Sequence, residues 1–567
     1  MKRWALIVVV LYACAAGSVI QARGWTQTSH YALVRALAEG TAVIDPWHEE
    51  TGDKAWTNGH FYSVKAPGLA FLVLPVHLVL RALSAVPDAL RPAIWELTLF
   101  GAVLPATALL VLMRRETDRA IPGAGLAAAA GLALGTLLFP FSTLLFGHVL
   151  AATLAFAAFA LLLHERRVGG SWARAGGAGL LAGAAVLVEY PSGLAVLVLA
   201  GLLLTGPDRL ARGAAYAAGV AVPLGILALY NRWAFGSFTH LSYDNSVIVP
   251  GRTGHDVIGA TSDGFFGVTA PSLRVAVELF LGSRGLLALT PVVGVALAGL
   301  VLLYRSGRRV EAVVPAAMFL AYLVYNAGIK TTFGGPFGGD SPGPRYLVVA
   351  LPFLVAGVAA AIRRAPGSAV VLVGVSVLSM VVGTATKPLL ELDEGLGTWF
   401  GLAGEGRFTA TVLTPLGAGR GWLAILPFLV LAALAALVPW RRPPVLSTHV
   451  VLAGAVALGA WIVVAVTAPP MLDPPGSASW VTTVGVVALA AAAVAVVVVT
   501  ERRAYAAGLA LLPLAGARLV FEHPEWVVAL SAAALLVAAA AYAAEATRMR
   551  PSASEGRTRY NGRTAER

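Results

Sequence analysis

Apolar residues run through this chain in blocks of about 15 to 21, separated by short polar stretches. A hydrocarbon core of roughly 30 Å takes about 20 helical residues to cross, so each block reads as a candidate span. The pattern predicts spans near 4–20, 93–113, 121–139, 144–163, 174–189, 191–205, 213–231, 285–304, 312–328 and 346–362. Further spans are predicted near 369–386, 421–439, 447–467, 480–500, 504–521 and 526–546. The predicted fold is an all-α integral membrane protein: a polytopic bundle of about sixteen helices, with outer-face loops and interfacial helices.

Arginine and lysine clusters orient this pattern. They stand at Arg114-Arg115, Arg166-Arg167, Arg209 with Arg212, Arg305 to Arg309, Arg363-Arg364, Arg441-Arg442 and Arg502-Arg503. Pairs of apolar blocks lie between successive clusters, as helical hairpins would, and the positive-inside rule puts the clusters on the cytoplasmic side. The long polar segments 21–65, 232–284, 329–345 and 387–420 then all face outward. One block resists this scheme. A full crossing by 66–86 would turn Arg114-Arg115 outward, and Pro75 and His77 interrupt the block. It reads as a re-entrant or interfacial piece, tolerable where it lines a cavity.

Composition agrees. The 567 residues are 58% hydrophobic and 12% charged, against about 25% charged in soluble domains. Net charge is +12, but the excess sits between spans and no basic stripe interleaves with aromatics, which argues against nucleic acid as a partner. Cys14 is the single cysteine, so neither a disulfide framework nor a cysteine metal site is available. It lies in Leu11-Tyr12-Ala13-Cys14, a poor match to a lipobox. Met1-Lys2-Arg3 and the following apolar run could serve as a signal peptide, but an uncleaved first span fits the anchor that the next loop needs. No heptad or 20–50 residue repeat stands out. The late helices of 366–546 carry few polar residues and are expected to be scaffold, and 547–567 a cytoplasmic, disordered tail.

The first outer loop concentrates reactive groups. Ser29-His30-Tyr31 opens a helical pattern, and Asp45-Pro46-Trp47-His48-Glu49-Glu50 to Asp53-Lys54 follows. The loop ends in His60-Phe61-Tyr62-Ser63-Val64-Lys65-Ala66-Pro67-Gly68. Four acids, two histidines and two lysines fall within residues 45–65. A solvated loop would explain such charges blandly. Lys65, however, stands directly against an apolar block, where an ammonium can meet a lipid phosphate as a point charge.

This order of one span, an acidic outer loop and a Tyr-x-x-Lys-x-Pro segment resembles the GT-C superfamily of polyprenyl-phosphate-sugar glycosyltransferases. Within it the chain is most similar to bacterial family 39 enzymes, relatives of protein O-mannosyltransferases and lipid A aminoarabinose transferases. Lys65-Ala66-Pro67-Gly68 matches the lysine-proline motif, and the resemblance implies that Lys65 contacts the donor phosphate. Phe141 to His148 matches a helix start where many relatives carry an Asp; here the polar residue is His148, although a lone histidine on an apolar face is often structural. Gly334 to Tyr346 is similar to a Gly-Pro-Arg motif. Its Arg345 could give a phosphate a bidentate pair, or be an interfacial arginine in a flexible turn. The chain departs from the family at Thr28-Ser29-His30-Tyr31, where relatives have Asp-Glu. The catalytic base is then expected at Asp53 or Asp45, with Asp53 preferred for its nearness to Lys65. His148, His60, Tyr62, Glu189 and Tyr190 complete the expected pocket. A divalent metal assists some members of the superfamily, and no ligand set here decides its presence.

The resemblance extends over residues 1–365 and implies that they carry the chemistry. It implies an inverting hexosyl- or pentosyltransferase of the cytoplasmic (inner) membrane, acting on its outer face. The donor would be a polyprenyl-phosphate-linked sugar among the membrane lipids, and the acceptor a glycan, lipid or protein of the cell envelope. The rival is a polytopic transporter or lipid-linked-sugar flippase without transferase activity. Few acids occupy predicted span centres: Glu96 and Glu278 lie near ends and Glu189 at an outer tip. A purely structural membrane partner would leave the loop charges unexplained.

Overall fold

The computed structural model describes residues 2–206, 208–245, 268, 270–329, 337–391, 394–440, 447–468 and 524–548. The spans expected at 480–500 and 504–521, and all but the first two residues of the tail expected at 547–567, lie outside the described residues.

The described chain is built almost wholly of helices. α1 (Lys2–Ser18) leads through β1 (Val19–Ile20) into α2 (Trp25–Ala38). A 3-10 turn (Asp45–Glu50) and a hairpin of β2 (Lys54–Thr57) with β3 (His60–Ser63) follow. The hairpin turns at Asn58 and Gly59, both with positive φ (52° and 82°), as a two-residue turn of this hand requires. α3 (Gly68–Ala82) contains Pro75. At 15 residues it measures about 22 Å, short of a hydrocarbon core. That length suits the interfacial or re-entrant reading of 66–86.

α4 (Leu90–Thr98) continues through a π turn at Leu99–Val103 into α5 (Leu104–Ala120). α6 (Gly125–Leu134), α7 (Leu138–Ser142), α8 (Gly147–Val168), α9 (Trp172–Val188), α10 (Gly193–Leu204) and α11 (Arg209–Phe235) complete the first half. Among the described residues seven helices are long and apolar enough to cross a membrane: Leu90–Ala120, Gly147–Val168, Arg209–Phe235, Arg309–Ala327, Pro366–Ala385, Trp422–Trp440 and Thr448–Val466. An eighth crossing exists if Leu273–Leu289 and Val292–Arg305, bent by 93°, count as one. The blocks expected at 4–20, 121–139, 174–189 and 191–205 form shorter apolar helices. The block at 346–362 is broken, with two 3-10 turns (Arg345–Val349 and Leu351–Leu354) ahead of Val355–Arg364.

One large apolar core joins α1, α5, α6, α8 and α9 to the helices around 292–303, 347–360 and 373–385. β1 pairs antiparallel with Ala410–Thr411, tying the end of α1 to the segment after the Pro366–Ala385 helix. Glu545, buried, accepts the backbone N–H groups of Gly367 at 2.7 Å and Ser368 at 3.2 Å. A carboxylate there satisfies orphan donors and meets the positive end of the helix dipole.

Among the described residues, Arg167, Arg212 and Arg363 of the basic clusters lie at helix ends tied by bonds to Glu116, Glu165 and the Pro122 carbonyl. Arg119 bonds Glu116 as well. Arg212 bonds the fully buried Glu165 twice, Nε and Nη2 each at 2.6 Å. In α8, Arg166 and Arg167 occupy the last turn and His148 the first. Its 22 residues span about 33 Å, close to a hydrocarbon core.

Candidate active site

At the end of α8 opposite Arg166-Arg167, the starts of α3 and α8 converge on the end of α9. Glycine permits the approach. A side chain on Gly68 would collide with the Leu187 carbonyl, and one on Gly147 would lie 2.6 Å from Glu189 Oε1. Lys65, three residues before α3, is thereby brought beside the α8 and α9 ends.

α2 forms the floor. It buries its polar residues Thr26, Gln27, Thr28, Ser29 and His30, a pattern that makes sense only if they have partners. Thr26 Oγ1 donates to Asp53 Oδ2 at 2.7 Å, and Ser29 Oγ donates to the Asp53 carbonyl at 2.5 Å. Ser29 Oγ also lies 2.8 Å from Ser63 Oγ, which accepts the Lys65 backbone N–H at 3.2 Å. The loop residue Asp53 and the lysine are so positioned by the same helix. Lys65 Nζ reaches Asp53 Oδ2 at 2.6 Å, with both side chains about one-sixth exposed or less.

His148, the second residue of α8, directs Nδ1 to Glu189 Oε1 at 2.9 Å. Its ring is packed against Phe141 at 5.2 Å and Tyr346 at 6.2 Å between centroids. His148 Nε2 is buried and makes no hydrogen bond among the described residues. Burial alone would raise the Glu189 pKa; His148 beside it, with Lys65 further off, outweighs that and holds the carboxyl below its usual range.

Arg345 opens the 3-10 turn next to Tyr346 and donates to its hydroxyl at 3.3 Å. Its Nε is buried and unbonded. Gly338, at φ +83°, lets the loop close over this guanidinium: a Cβ there would lie 2.6 Å from Arg345 Nε. Arg284, buried, holds the same loop in place by donating to the Gly339 carbonyl at 3.1 Å and the Leu390 carbonyl at 2.7 Å. Asp53 acts electrostatically on Arg345, which links the loop to the Lys65 pair.

Five residues singled out from the sequence therefore share one site: Asp53, Lys65, His148, Glu189 and Arg345. The others stand apart from it. Asp45 accepts the Phe61 N–H at 2.7 Å and lies 2.7 Å from His60 Nδ1. Both are partly exposed and fasten the hairpin to the Asp45–Glu50 turn. Tyr62 packs edge-on against Phe235 at 5.0 Å, in an apolar cluster with Tyr230 and Ala42. Tyr190 flanks the site: its hydroxyl lies 3.1 Å from Ser242 Oγ, which donates to the Val64 carbonyl at 3.0 Å.

The residue the sequence marked only as a departure is central here. His30 is 1% exposed, and neither ring nitrogen has a partner. Burial first, then the Lys65 charge, pushes its pKa down to about 3, so the ring is neutral. Lys65, Glu189, His148 and Asp53 all act on it electrostatically. Among the described residues no three His, Cys, Asp or Glu side chains come together as a metal-binding group.

No family model matches the chain, and no curated protein matches it. Among solved structures, ArnT from Cupriavidus metallidurans bound to undecaprenyl phosphate aligns over 96% of this chain and 77% of its own, with a TM-score of 0.43 and 15% identity. The same protein in the apo state aligns over 96% and 76%, with a TM-score of 0.42 and 14% identity.

Proposed function

We propose that this chain is a membrane glycosyltransferase that moves a sugar from a polyprenyl-phosphate donor to a hydroxyl-bearing acceptor at the outer face of the cytoplasmic membrane. One observation carries the reading. Two cations 280 residues apart, Lys65 and Arg345, share one largely buried site with Asp53 at the helix ends remote from the basic clusters. Buried cations call for anionic partners. Asp53 accounts for Lys65, while Arg345 keeps Nε free for a further acceptor.

In this mechanism the lipid-linked donor enters from the membrane and its phosphate lies between Lys65 and Arg345. The ammonium supplies a point charge and the guanidinium a directional donor. The phosphate is the leaving group, so these charges stabilise what develops in the transition state. The acceptor hydroxyl displaces it at the anomeric carbon in one step, with inversion. Its proton goes to a base of the same site, for which Asp53 and the His148–Glu189 pair are the candidates. Asp45, bound into the hairpin, is proposed only to hold the loop. Residues 1–365 contain every group named, leaving the later helices as scaffold.

The test is binding of polyprenyl phosphate itself to the full chain in nanodiscs. Lys65→Ala and Arg345→Ala should each weaken it by roughly ten- to a hundred-fold, from about 1.5–3 kcal/mol per charge-assisted contact. Unchanged affinity in both variants would remove the phosphate site.

A further inference from the structure

The site contains a histidine–carboxylate pair that phosphate binding leaves unused. His148 Nδ1 faces a carboxylate at 2.9 Å, and its Nε2 is buried with no partner. The carboxylate fixes the tautomer: Nδ1 carries the hydrogen and donates it to Glu189, which leaves the lone pair on Nε2. A histidine oriented in this way is a general base whose protonated form is steadied by the carboxylate behind it. The aromatic packing of the ring and the charged state of Glu189 both favour that arrangement.

Asp53 is placed differently. Its Oδ2 already takes Lys65 at 2.6 Å and Thr26 at 2.7 Å. Those contacts must loosen before that oxygen can accept a proton. An acid that neutralises a lysine in the empty site is suited to keeping the ammonium in place until a phosphate arrives. The groups around His148 are Glu189 from the end of α9, Tyr346 from the Arg345–Val349 turn and, acting electrostatically, His30 from α2, on which Lys65 and Asp53 also act.

Resting on the transferase reading above, we infer that His148, oriented by Glu189, is the base that takes the acceptor proton, and that Asp53 is a positioning residue for Lys65. The step balances. The acceptor oxygen forms a bond to the anomeric carbon as the bond from that carbon to the phosphate oxygen breaks. The bonding pair leaves with the polyprenyl phosphate. The hydroxyl proton moves to His148 Nε2, and the imidazolium is balanced by Glu189 until it returns the proton to solvent.

The experiment measures label transfer by the full chain in proteoliposomes across pH, with a panel of radiolabelled polyprenyl-phosphate sugars and a cell-envelope acceptor fraction. His148→Gln should lower turnover by about 10²–10⁴-fold with the donor KM unchanged, and should abolish any acid limb of the rate profile that the wild type proves to have. Glu189→Gln should lower turnover and displace that acid limb, and Glu189→Asp should restore part of the rate. Asp53→Asn should raise the donor KM more than it lowers turnover. His148→Gln at wild-type turnover would overturn the assignment. So would an acid limb lost in Asp53→Asn and kept in His148→Gln. Retained binding of polyprenyl phosphate shows that a variant is folded; if His148→Gln fails that check, the acid limb of Glu189→Gln decides. A wild type silent toward every donor, yet still binding polyprenyl phosphate, would overturn the transferase reading itself and the base with it.

Discussion

Lys65 Nζ and Asp53 Oδ2 meet at 2.6 Å, and both residues are tied to α2 through Ser63, Ser29 and Thr26. The pair is the hinge of the account: a cation stored beside an acid at the edge of the membrane-crossing helices. Lys65→Ala should reduce transfer by roughly ten- to a hundred-fold while leaving expression intact, since about 1.5–3 kcal/mol is lost with a charge-assisted contact. Radiolabel transfer measured beside the quantity of protein in the membrane checks this. Near-normal transfer would remove Lys65 from the phosphate.

Asp45 should behave otherwise. It bonds the Phe61 N–H and His60 at the hairpin, outside the site. Asp45→Asn should leave turnover within about twofold and cost about 0.5–1.5 kcal/mol of stability. Thermal unfolding of the purified variant beside a transfer assay separates the two; a sharp loss of turnover without loss of stability would return Asp45 to the chemistry.

His30 predicts a pH dependence. Its folded pKa of about 3 lies below the ordinary histidine value of 6.5. The unfolded chain therefore binds the proton first as pH falls, and stability drops on acidification through that window. Between pH 6.5 and 5 the contribution is up to about 2 kcal/mol. The wild type should lose more stability over this interval than His30→Gln, measured by thermal unfolding in one buffer series. Parallel curves for the two proteins would mean that the buried ring does not stay neutral.

The Glu165–Arg212 pair lies at the opposite end, with both side chains almost fully buried. Arg212→Met strands a buried carboxylate and should cost about 3–5 kcal/mol, while replacement of both residues by apolar ones should recover much of that loss. The double variant's melting temperature is the informative number. If it melts as low as Arg212→Met, packing around the pair matters more than its charge.

Much of this architecture is legible in the sequence because spans declare themselves by length and hydropathy. The 66–86 block shows why charge must be read beside hydropathy: its apolar content alone suggests a crossing, and the helix that forms, Gly68–Ala82, is too short for one. The site was partly legible. Lys65 could be named because it stands against an apolar block, Asp53 for its nearness to that lysine, Glu189 for its place at an outer tip, and His148 and Arg345 through the family resemblance; the structure places them together. His60 and Tyr62 sit near Lys65 in the sequence, yet the two-residue period of β3 and its pairing with β2 direct them elsewhere. His30 went unassigned because one histidine in a helical pattern gives no sign of two unpartnered nitrogens. The Asp53–Lys65 bond and the orientation of the His148–Glu189 pair depend on helices meeting across the fold, which no local spacing reports.

Orientation in the membrane has its own test. In a background where Cys14 is replaced by Ser, Glu49→Cys places a thiol on the exposed Asp45–Glu50 turn without disturbing the Asn58-Gly59 hairpin. An impermeant thiol reagent should label it in intact cells whose outer barrier is opened. Labelling only after the cytoplasmic membrane is broken would invert the topology and place the site inside.

Sugar transfer from a polyprenyl-phosphate donor is the activity that the Lys65–Arg345 site is proposed to perform. The most direct measurement supplies radiolabelled polyprenyl-phosphate sugars and cell-envelope acceptors to membranes containing either the wild type or Lys65→Ala with Arg345→Ala. Label should appear in the acceptor fraction with the wild type for at least one donor, and be lost in the double variant. Transfer undiminished in the double variant, or none from any donor with the wild type, would contradict it.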